Sequence, residues 1–299
     1  MNLSTPLLPK MKPNALLKLA DYLRQAQSQL AEANVENPFL DVRILAAKAL
    51  DLDRAQLLSE MDRLLSANEV SQLQTLVDRR STREPVGRIL GRREFWSLSF
   101  GLNEATLEPR PDSETLIEET VSLLKDRQND FLRFLDLGSG TGCLLLSLLK
   151  EFPNSTGLGI DCALRAIQQA ETNAQHLGLA ERAFFRDGNW LDNVEENFDV
   201  IISNPPYVKR GDIQNLMPEV RFHDPFLALD GGEDGLEIYR LLVPQLPERL
   251  KPSGLAVLEI GQGQAMVVTE LFKQAGFLNI TSHNDLSGTA RCLIAHHMP

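Results

Sequence analysis

"RFLDLGSGTGCLLLSLLKEF", residues 133–152, contains a short apolar run, a glycine-rich loop and a longer apolar run in immediate succession. The first run predicts a buried strand that ends at the loop, and the second predicts a helix. Gly138, Gly140 and Gly142 allow the backbone to turn sharply and to approach a ligand closely. The stretch therefore predicts a strand–loop–helix unit, whose loop either binds a ligand or serves only as a tight turn.

The alternation of strands and helices continues to the end of the chain. Further strands are predicted at 156–161, 183–186, 198–203, 254–261, 278–283 and 290–297. Helices are predicted at 162–178, at 234–250 with an interruption at Pro244, and at 264–276. This alternation favours an α/β domain with a doubly wound, mostly parallel sheet. Ligands in such sheets bind at the carboxyl ends of the strands, at the topological switch point.

The amino-terminal part of the chain has a different pattern. From Asn14 to about Arg80 the apolar residues recur with helical spacing, and no strand signal is present. Asn37 lies before a proline at a predicted helix start, and Ser66 or Asn68 is the predicted cap of a later helix. This part therefore predicts a small all-helical domain.

Residues 82–110 connect the two patterns. Their alternation and aromatic residues predict a short β-hairpin, with its turn near Gly101–Asn103. The predicted domains are a helical domain at 1–82, a β-hairpin linker at 83–110 and an α/β domain at 111–299.

Composition excludes several classes of protein. Of the 299 residues 43% are hydrophobic, yet no apolar run approaches the ~20 residues that a membrane-spanning helix needs. The first residues, "MNLSTPLLPKMKPN", lack the apolar core of a signal peptide. The three cysteines fit neither a disulfide framework nor a zinc pattern, and the five histidines form no metal-binding motif. We therefore expect a cytoplasmic protein with reduced cysteines and no metal site.

The net charge of −11 is unevenly distributed. Residues 111–299 carry 27 acidic and 15 basic side chains, so this part of the chain should repel a nucleic-acid backbone. Six arginines cluster before it, and they are either a solvated helix end and linker or a docking patch for a larger partner. They are Arg79, Arg80, Arg83, Arg88, Arg92 and Arg93.

The glycine loop departs from the dinucleotide-binding pattern. Its spacing is GxGxG, and Cys143 stands where GxGxxG would place the third glycine. Asp161 ends the next strand, where its carboxylate can accept hydrogen bonds from both ribose hydroxyls of a nucleoside or can cap the following helix. Trp190, after a further strand, can stack on an adenine or can belong to the core. Asp136 is expected beneath the loop, where it lies near an amino group of a bound ligand or orients the glycines.

"NPPY", residues 204–207, ends the predicted strand 198–203. Pro205 and Pro206 have no N–H group, so the segment offers carbonyl oxygens and few donors. Asn204 adds an amide oxygen, and with the Pro205 carbonyl it suits a substrate that donates two hydrogen bonds from one planar –NH2 group. Tyr207 can lie against the flat face of that group. The alternative is a turn that merely ends the strand.

These motifs together resemble known families. "DLGSGTG" with a terminal Asp161 resembles the Rossmann-like class I S-adenosylmethionine-dependent methyltransferases, and "NPPY" is shared by adenine amino-methyltransferases and protein glutamine methyltransferases. Segments 83–119 and 220–240 and the small helical domain resemble the release factor glutamine methyltransferases, the HemK family. The resemblance implies methylation of the glutamine in the Gly-Gly-Gln motif of peptide-chain release factors, during translation termination, with no direct nucleic-acid substrate and no membrane partner.

The resemblance also implies roles for particular residues. Asn204, Pro205, Pro206 and Tyr207 would hold the glutamine. The cofactor contacts would come from Gly138, Ser139, Gly140, Thr141, Gly142, Asp161, Trp190 and Asn204.

The sequence departs from the family at two places, and two other functions stay open. Asn189 stands where many relatives have an acidic residue, so either it or Asp187 would meet the adenine amino group; Glu108 stands where an apolar residue is common.

The first alternative is an adenine amino-methyltransferase acting on DNA or RNA, which would need a basic track. The second is a non-catalytic module that binds release factors or ribosomes.

Overall fold

The computed structural model describes residues 17–297. Two predictions lie outside the described residues. They are the start of the helical pattern at Asn14–Leu16 and the absence of a signal peptide at the start of the chain. The chain divides after Leu90 into two compact units. The predicted domain bounds, 1–82, 83–110 and 111–299, stay a prediction.

The first unit is built from helices, as predicted. Its apolar core includes Leu19, Leu30 and Leu45, none of which is measurably exposed. The side chain of Ser66 accepts from the Glu69 amide, and the Glu69 carboxylate accepts from the Ser66 amide, which is a capping box. The helices are α1 (Leu19–Glu32), α2 (Pro38–Leu50), α3 (Arg54–Ser59), α4 (Ala67–Ser81) and α5 (Val86–Leu90).

The prediction that this part contains no strand was wrong in one detail. Strand β1 (Leu17–Lys18) pairs antiparallel with β2 (Leu64–Leu65). Two residues are too few to show a period of two in the sequence, so this pairing left no signal.

The hairpin is present, but its turn lies elsewhere. Strands β3 (Arg92–Phe95) and β4 (Leu98–Gly101) pair antiparallel around Trp96 and Ser97, whose φ angles are 50° and 57°. The prediction of a turn at Gly101–Asn103 was wrong. Two-residue turns with two positive φ angles usually contain Asn or Gly, and this one contains neither, so the sequence did not mark it. Phe95 and Phe100 are buried in the core of the second unit.

The second unit contains the predicted sheet. Seven strands lie in the order β10-β11-β9-β8-β5-β6-β7; β5 to β9 run parallel, and β11 pairs antiparallel with both β9 and β10. The strands are β5 (Arg133–Leu137), β6 (Thr156–Asp161), β7 (Ala183–Asp187), β8 (Phe198–Ser203), β9 (Leu250–Glu259), β10 (Asn279–Asn284) and β11 (Ala290–His296).

Helices cover both faces of this sheet, so the doubly wound, mostly parallel architecture is confirmed. Alternate residues of β5 face opposite cores, with Phe134 on one side and Leu135 on the other. The helices are α6 (Glu114–Leu123), α7 (Cys143–Glu151), α8 (Leu164–His176), α9 (Pro218–Arg221), α10 (Glu237–Leu242) and α11 (Ala265–Gln274). The predicted interruption at Pro244 is real: α10 ends at Leu242, and Val243–Arg249 continues as a 3-10 helix.

The register of the sheet places the predicted motifs side by side. Leu137 pairs with Ile160 on one side and with Ser203 on the other, and Ser203 pairs in turn with Leu258. The residues that follow these positions therefore meet at one edge. That edge includes the switch point between β5 and β8, where connections diverge to opposite sides of the sheet.

Candidate active site

A cavity of about 520 Å³ opens at this edge of the sheet. It brings together the glycine loop after β5, the end of β6, the loop after β7 and the start of "NPPY". The strand-end loops contribute Gly138, Ser139, Gly140, Thr141, Asp161, Asn189, Trp190, Asn204 and Pro206 to its lining. Further lining residues are Ala105, Leu107, Arg110 and Ser113 from the segment after the hairpin, and Pro225, Phe226 and Leu227 from the segment after α9.

The glycine loop is held against β6 by backbone hydrogen bonds. The amides of Gly138 and Ser139 donate to the Ile160 carbonyl at 2.8 and 3.0 Å. Gly142 does not line the cavity: it precedes α7 with φ of 76°, and a Cβ there would lie 3.0 Å from the Phe185 ring. The first four residues of the loop are thus placed to contact a ligand, whereas Gly142 permits close packing.

Asp161 connects the loop to the next helix. One carboxylate oxygen accepts from the Gly140 amide at 2.8 Å and the other accepts from the Ala163 amide at 2.9 Å. Each oxygen keeps a further lone pair, so the carboxylate can still accept from two ligand hydroxyls. The predicted helix-capping role was wrong, because α8 begins at Leu164 with Ala163 as its N-cap and has no side-chain cap, whereas the ligand role stays a prediction.

Trp190 covers one wall of the cavity. A Cβ on Gly138 would lie 3.4 Å from its ring, and the ring also packs against the apolar core on one face of the sheet. The side chain is thus partly a core residue and partly a cavity wall. Asn189 also lines the cavity, whereas Asp187 is exposed outside it.

Asp136 lies fully buried beneath the glycine loop. Neither of its carboxylate oxygens has a hydrogen-bond partner among the described residues, and Ser139 donates to its backbone carbonyl instead. Burial raises the pKa of Asp136 to about 7, and the nearby Asp161 carboxylate acts in the same direction. An unpartnered buried carboxyl group is costly in its charged form, and Asp136 is not among the residues that line the cavity.

"NPPY" leaves β8 along a fixed path. Gln264 Nε2 donates to the carbonyls of Tyr207 and Gly235, at 3.0 Å each. Gly231 passes so close that a Cβ on it would lie 2.7 Å from Tyr207 Cα. These contacts hold the segment rigidly, and they require glycine at a position that no catalytic motif includes.

Two acceptors in this segment have no partner. Within residues 17–297 no group donates to the Asn204 amide oxygen or to the Pro205 carbonyl, whereas the Asn204 Nδ2 donates to Ser113 Oγ at 3.1 Å. Asn204 and Pro206 line the cavity, and Pro205 is buried beside it. The segment can therefore receive two donors from one ligand group.

Tyr207 does not line the cavity. Its hydroxyl donates to Glu259 Oε1 at 3.1 Å, and burial together with this carboxylate raises the pKa of the phenol. Its predicted stacking on the substrate stays a prediction. The sequence interpretation missed Ser113 and Glu259, although one signal was available: Glu259 is a carboxylate that directly follows the apolar run 254–258 of β9.

Several of the clustered arginines form ion pairs inside their own units. Arg80 is 6% exposed and donates to Asp41 at 2.7 Å, and Arg79 donates to Glu84 at 2.8 Å. Arg80 thus contributes to the structure of the helical unit.

No group of three or more histidine, cysteine or acidic residues within 17–297 could hold a metal ion. Over the same residues, no helix has the length and apolar character that crossing a bilayer requires. The cavity lining combines the Asp161 carboxylate, which can accept from hydroxyl groups, with the Trp190 ring, which can cover a flat apolar group.

Comparisons with known proteins give matches over most of the chain. Residues 21–91 match the PrmC N-terminal domain, and residues 114–222 match the methyltransferase small domain. The release factor glutamine methyltransferase of Rhodospirillum rubrum is 44% identical over 287 residues, which cover 96% of this chain and 87% of the relative. That of Bradyrhizobium diazoefficiens is 43% identical over 278 residues, covering 92% and 94%.

One solved structure shares the fold at low sequence identity. The hMettl16 catalytic domain in complex with the MAT2A 3'UTR hairpin 6 has a TM-score of 0.55 and 15% identity. The match covers 77% of this chain and 81% of that chain. This likeness concerns the fold alone.

Proposed function

The chain belongs to the release factor glutamine methyltransferase family, and we propose that it methylates the side-chain amide nitrogen of the Gly-Gly-Gln glutamine in a peptide-chain release factor. The methyl donor is S-adenosylmethionine. The observation that carries the proposal is the pair of unpartnered acceptors, Asn204 Oδ1 and the Pro205 carbonyl, at the cavity.

The cofactor would occupy the cavity between the glycine loop and Trp190. Asp161 would accept from the ribose hydroxyls, and Asn189, which lines the cavity, would meet the adenine rather than Asp187. When bound, S-adenosylmethionine supplies a methyl group activated by the sulfonium charge.

The acceptor nitrogen is a poor nucleophile, because the lone pair of a carboxamide is delocalised. Asn204 and Pro205 would each accept one N–H of the glutamine, fixing the nitrogen and stabilising the positive charge that develops on it. Alignment of this kind can supply up to ~7–11 kcal/mol. The cofactor would supply the methyl group to the nitrogen that Asn204 and Pro205 hold, with the electron pair of the broken S–C bond left on sulfur, and the methylated nitrogen would then lose a proton to water.

The charge distribution supports a protein substrate. The acidic excess of residues 111–299 disfavours a nucleic-acid backbone near the cavity. We further propose that the helical domain, 1–82, recognises the release factor, and that the protein works in the cytoplasm, where its three free cysteines would stay reduced.

Methyl transfer to defined substrates tests the proposal. The enzyme is given labelled S-adenosylmethionine with a Gly-Gly-Gln release factor, its Gly-Gly-Glu variant, or adenine-containing DNA and RNA. We expect one methyl group on the glutamine by mass spectrometry and a loss of about 10⁴-fold or more for glutamate, which has no N–H to donate. Transfer to adenine with none to the release factor would overturn the proposal, and so would absence of any transfer.

A further inference from the structure

A buried carboxylate lies behind "NPPY" and takes no part in the chemistry described above. Glu259 ends strand β9 and is 1% exposed. The register pairs Leu258 with Ser203, so Glu259 and Asn204 leave neighbouring strands at the same level. Glu259 is not among the cavity-lining residues, and any effect it has on the reaction must pass through another side chain.

Two hydroxyl groups converge on this carboxylate. Ser113 Oγ donates to Oε2 at 2.5 Å, and the Tyr207 hydroxyl donates to Oε1 at 3.1 Å. Arg291 Nη1 lies 3.5 Å from the Tyr207 oxygen, and its guanidinium is also held by Asp285 at 3.3 Å. An ionised carboxylate can only accept, so both hydroxyl protons point toward Glu259.

The direction of these bonds determines which way the Asn204 amide faces. Ser113 has one hydroxyl proton, and donating it to Glu259 leaves the serine oxygen only as an acceptor. That oxygen accepts from Asn204 Nδ2 at 3.1 Å. With its NH2 group held by Ser113, the amide turns its oxygen to the other side, where no described group donates to it.

We propose that Glu259 is a positioning residue for methyl transfer, which acts through Ser113 to fix the Asn204 amide with its oxygen toward the acceptor nitrogen. Through Tyr207 it also fixes the far end of the same segment. The inference rests on the proposed function, since it takes Asn204 Oδ1 as one of the two acceptors for the glutamine –NH2 group.

The proposal predicts a specific effect of Glu259→Gln, which keeps the size and replaces one acceptor by a donor. If the new NH2 faces Ser113, the serine must accept from it and turn its proton toward Asn204. The Asn204 amide then favours the opposite orientation and presents NH2 to the –NH2 of the substrate. Two donors face each other, so kcat should fall, by about 10²-fold for a misplaced polar group at the reacting centre.

The pH profile provides a second readout. Burial raises the pKa of Glu259 to about 7, although Ser113 and Arg291 act in the opposite direction. Below that pH the carboxyl gains a proton that it can donate, so kcat of the wild type should fall as the pH decreases. Ser113→Ala removes the hydroxyl that links Glu259 to Asn204, so kcat of this variant should not fall over the same pH range. The charged and titratable groups that face Glu259 are Asp112, Cys143, Tyr207, Tyr239, Arg291 and Cys292.

A double-mutant cycle at pH 8 on the full-length enzyme tests the proposal. Glu259→Gln, Ser113→Ala and the double variant are compared with the wild type for kcat, for KM toward the release factor and for cofactor affinity by calorimetry. We expect each single variant to lose about 10²-fold in kcat with cofactor affinity within about threefold, and the double variant to be no slower than the slower single one. The matched control, Glu270→Gln on the exposed face of α11, should behave as wild type.

Three results would overturn the proposal: wild-type kcat in a folded Ser113→Ala enzyme, losses that multiply to about 10⁴-fold in the double variant, or a loss confined to cofactor affinity. If Glu259→Gln does not fold, Ser113→Ala carries the same expectation for kcat and for the pH profile. A wild-type enzyme that does not methylate the release factor would refute the proposed function, whereas an active wild type with an unaffected Ser113→Ala variant refutes only the role of Glu259.

Discussion

Asp161→Ala tests the assignment of the cofactor site most directly. The carboxylate accepts from the Gly140 and Ala163 amides at 2.8 and 2.9 Å and would also accept from the ribose. A lost hydrogen bond to a charged group costs about 1.5–3 kcal/mol, and tenfold in affinity corresponds to about 1.4 kcal/mol. The ribose contact alone therefore predicts a roughly ten- to hundredfold weaker Kd, and a loosened Gly140 amide increases the loss.

Calorimetric titration with S-adenosylmethionine measures this loss, with thermal unfolding recorded on the same samples. Asp161→Asn keeps one acceptor oxygen but turns a donor toward a backbone N–H, so its affinity should also fall. Asp126→Ala, which removes an exposed carboxylate from the same unit, is the control and should bind as wild type. An Asp161→Ala protein that is folded and binds with unchanged Kd would refute the ribose contact.

Three further predictions follow from the same structure. Asn204→Ala should lower kcat by about 10²-fold, since it removes one of two acceptors for the reacting nitrogen; an unchanged kcat in steady-state assays would contradict that role. A chain that begins at Gly91 retains the second unit and should bind S-adenosylmethionine normally but methylate a release factor poorly, and full activity would exclude a docking role for the helical domain. Asp136→Asn should reduce the loss of folding stability that occurs as the pH rises. The raised pKa of this carboxyl means that the folded state keeps a proton that the unfolded state releases above about pH 4, so stability is lost as the pH rises to about 7. Between pH 5 and pH 7 the wild type should lose roughly 2 kcal/mol of folding stability through this group, and urea unfolding at both pH values would show whether the variant loses as much.

The sequence alone was sufficient for most of the architecture of the second unit. Apolar runs of strand length alternated with helical periods, and the structure places β6 and β8 at the predicted residues. These patterns are local, because the spacing of apolar residues within a short stretch is enough to indicate a strand or a helix. The same locality explains the two errors: a two-residue strand has no period, and the Trp96–Ser97 turn lacks the residues that usually mark positive φ angles.

Only the tertiary structure showed how the candidate site is organised. The motifs "DLGSGTG" and "NPPY" were visible in the sequence, and the strand ends at which they lie follow from the order of a parallel sheet. Ser113 and Glu259, by contrast, are 146 residues apart and belong to no motif, yet they lie 2.5 Å apart and connect to Asn204. Their contact depends on which strands neighbour each other and in what register, and those choices depend on packing over the whole sheet rather than on any short stretch of sequence.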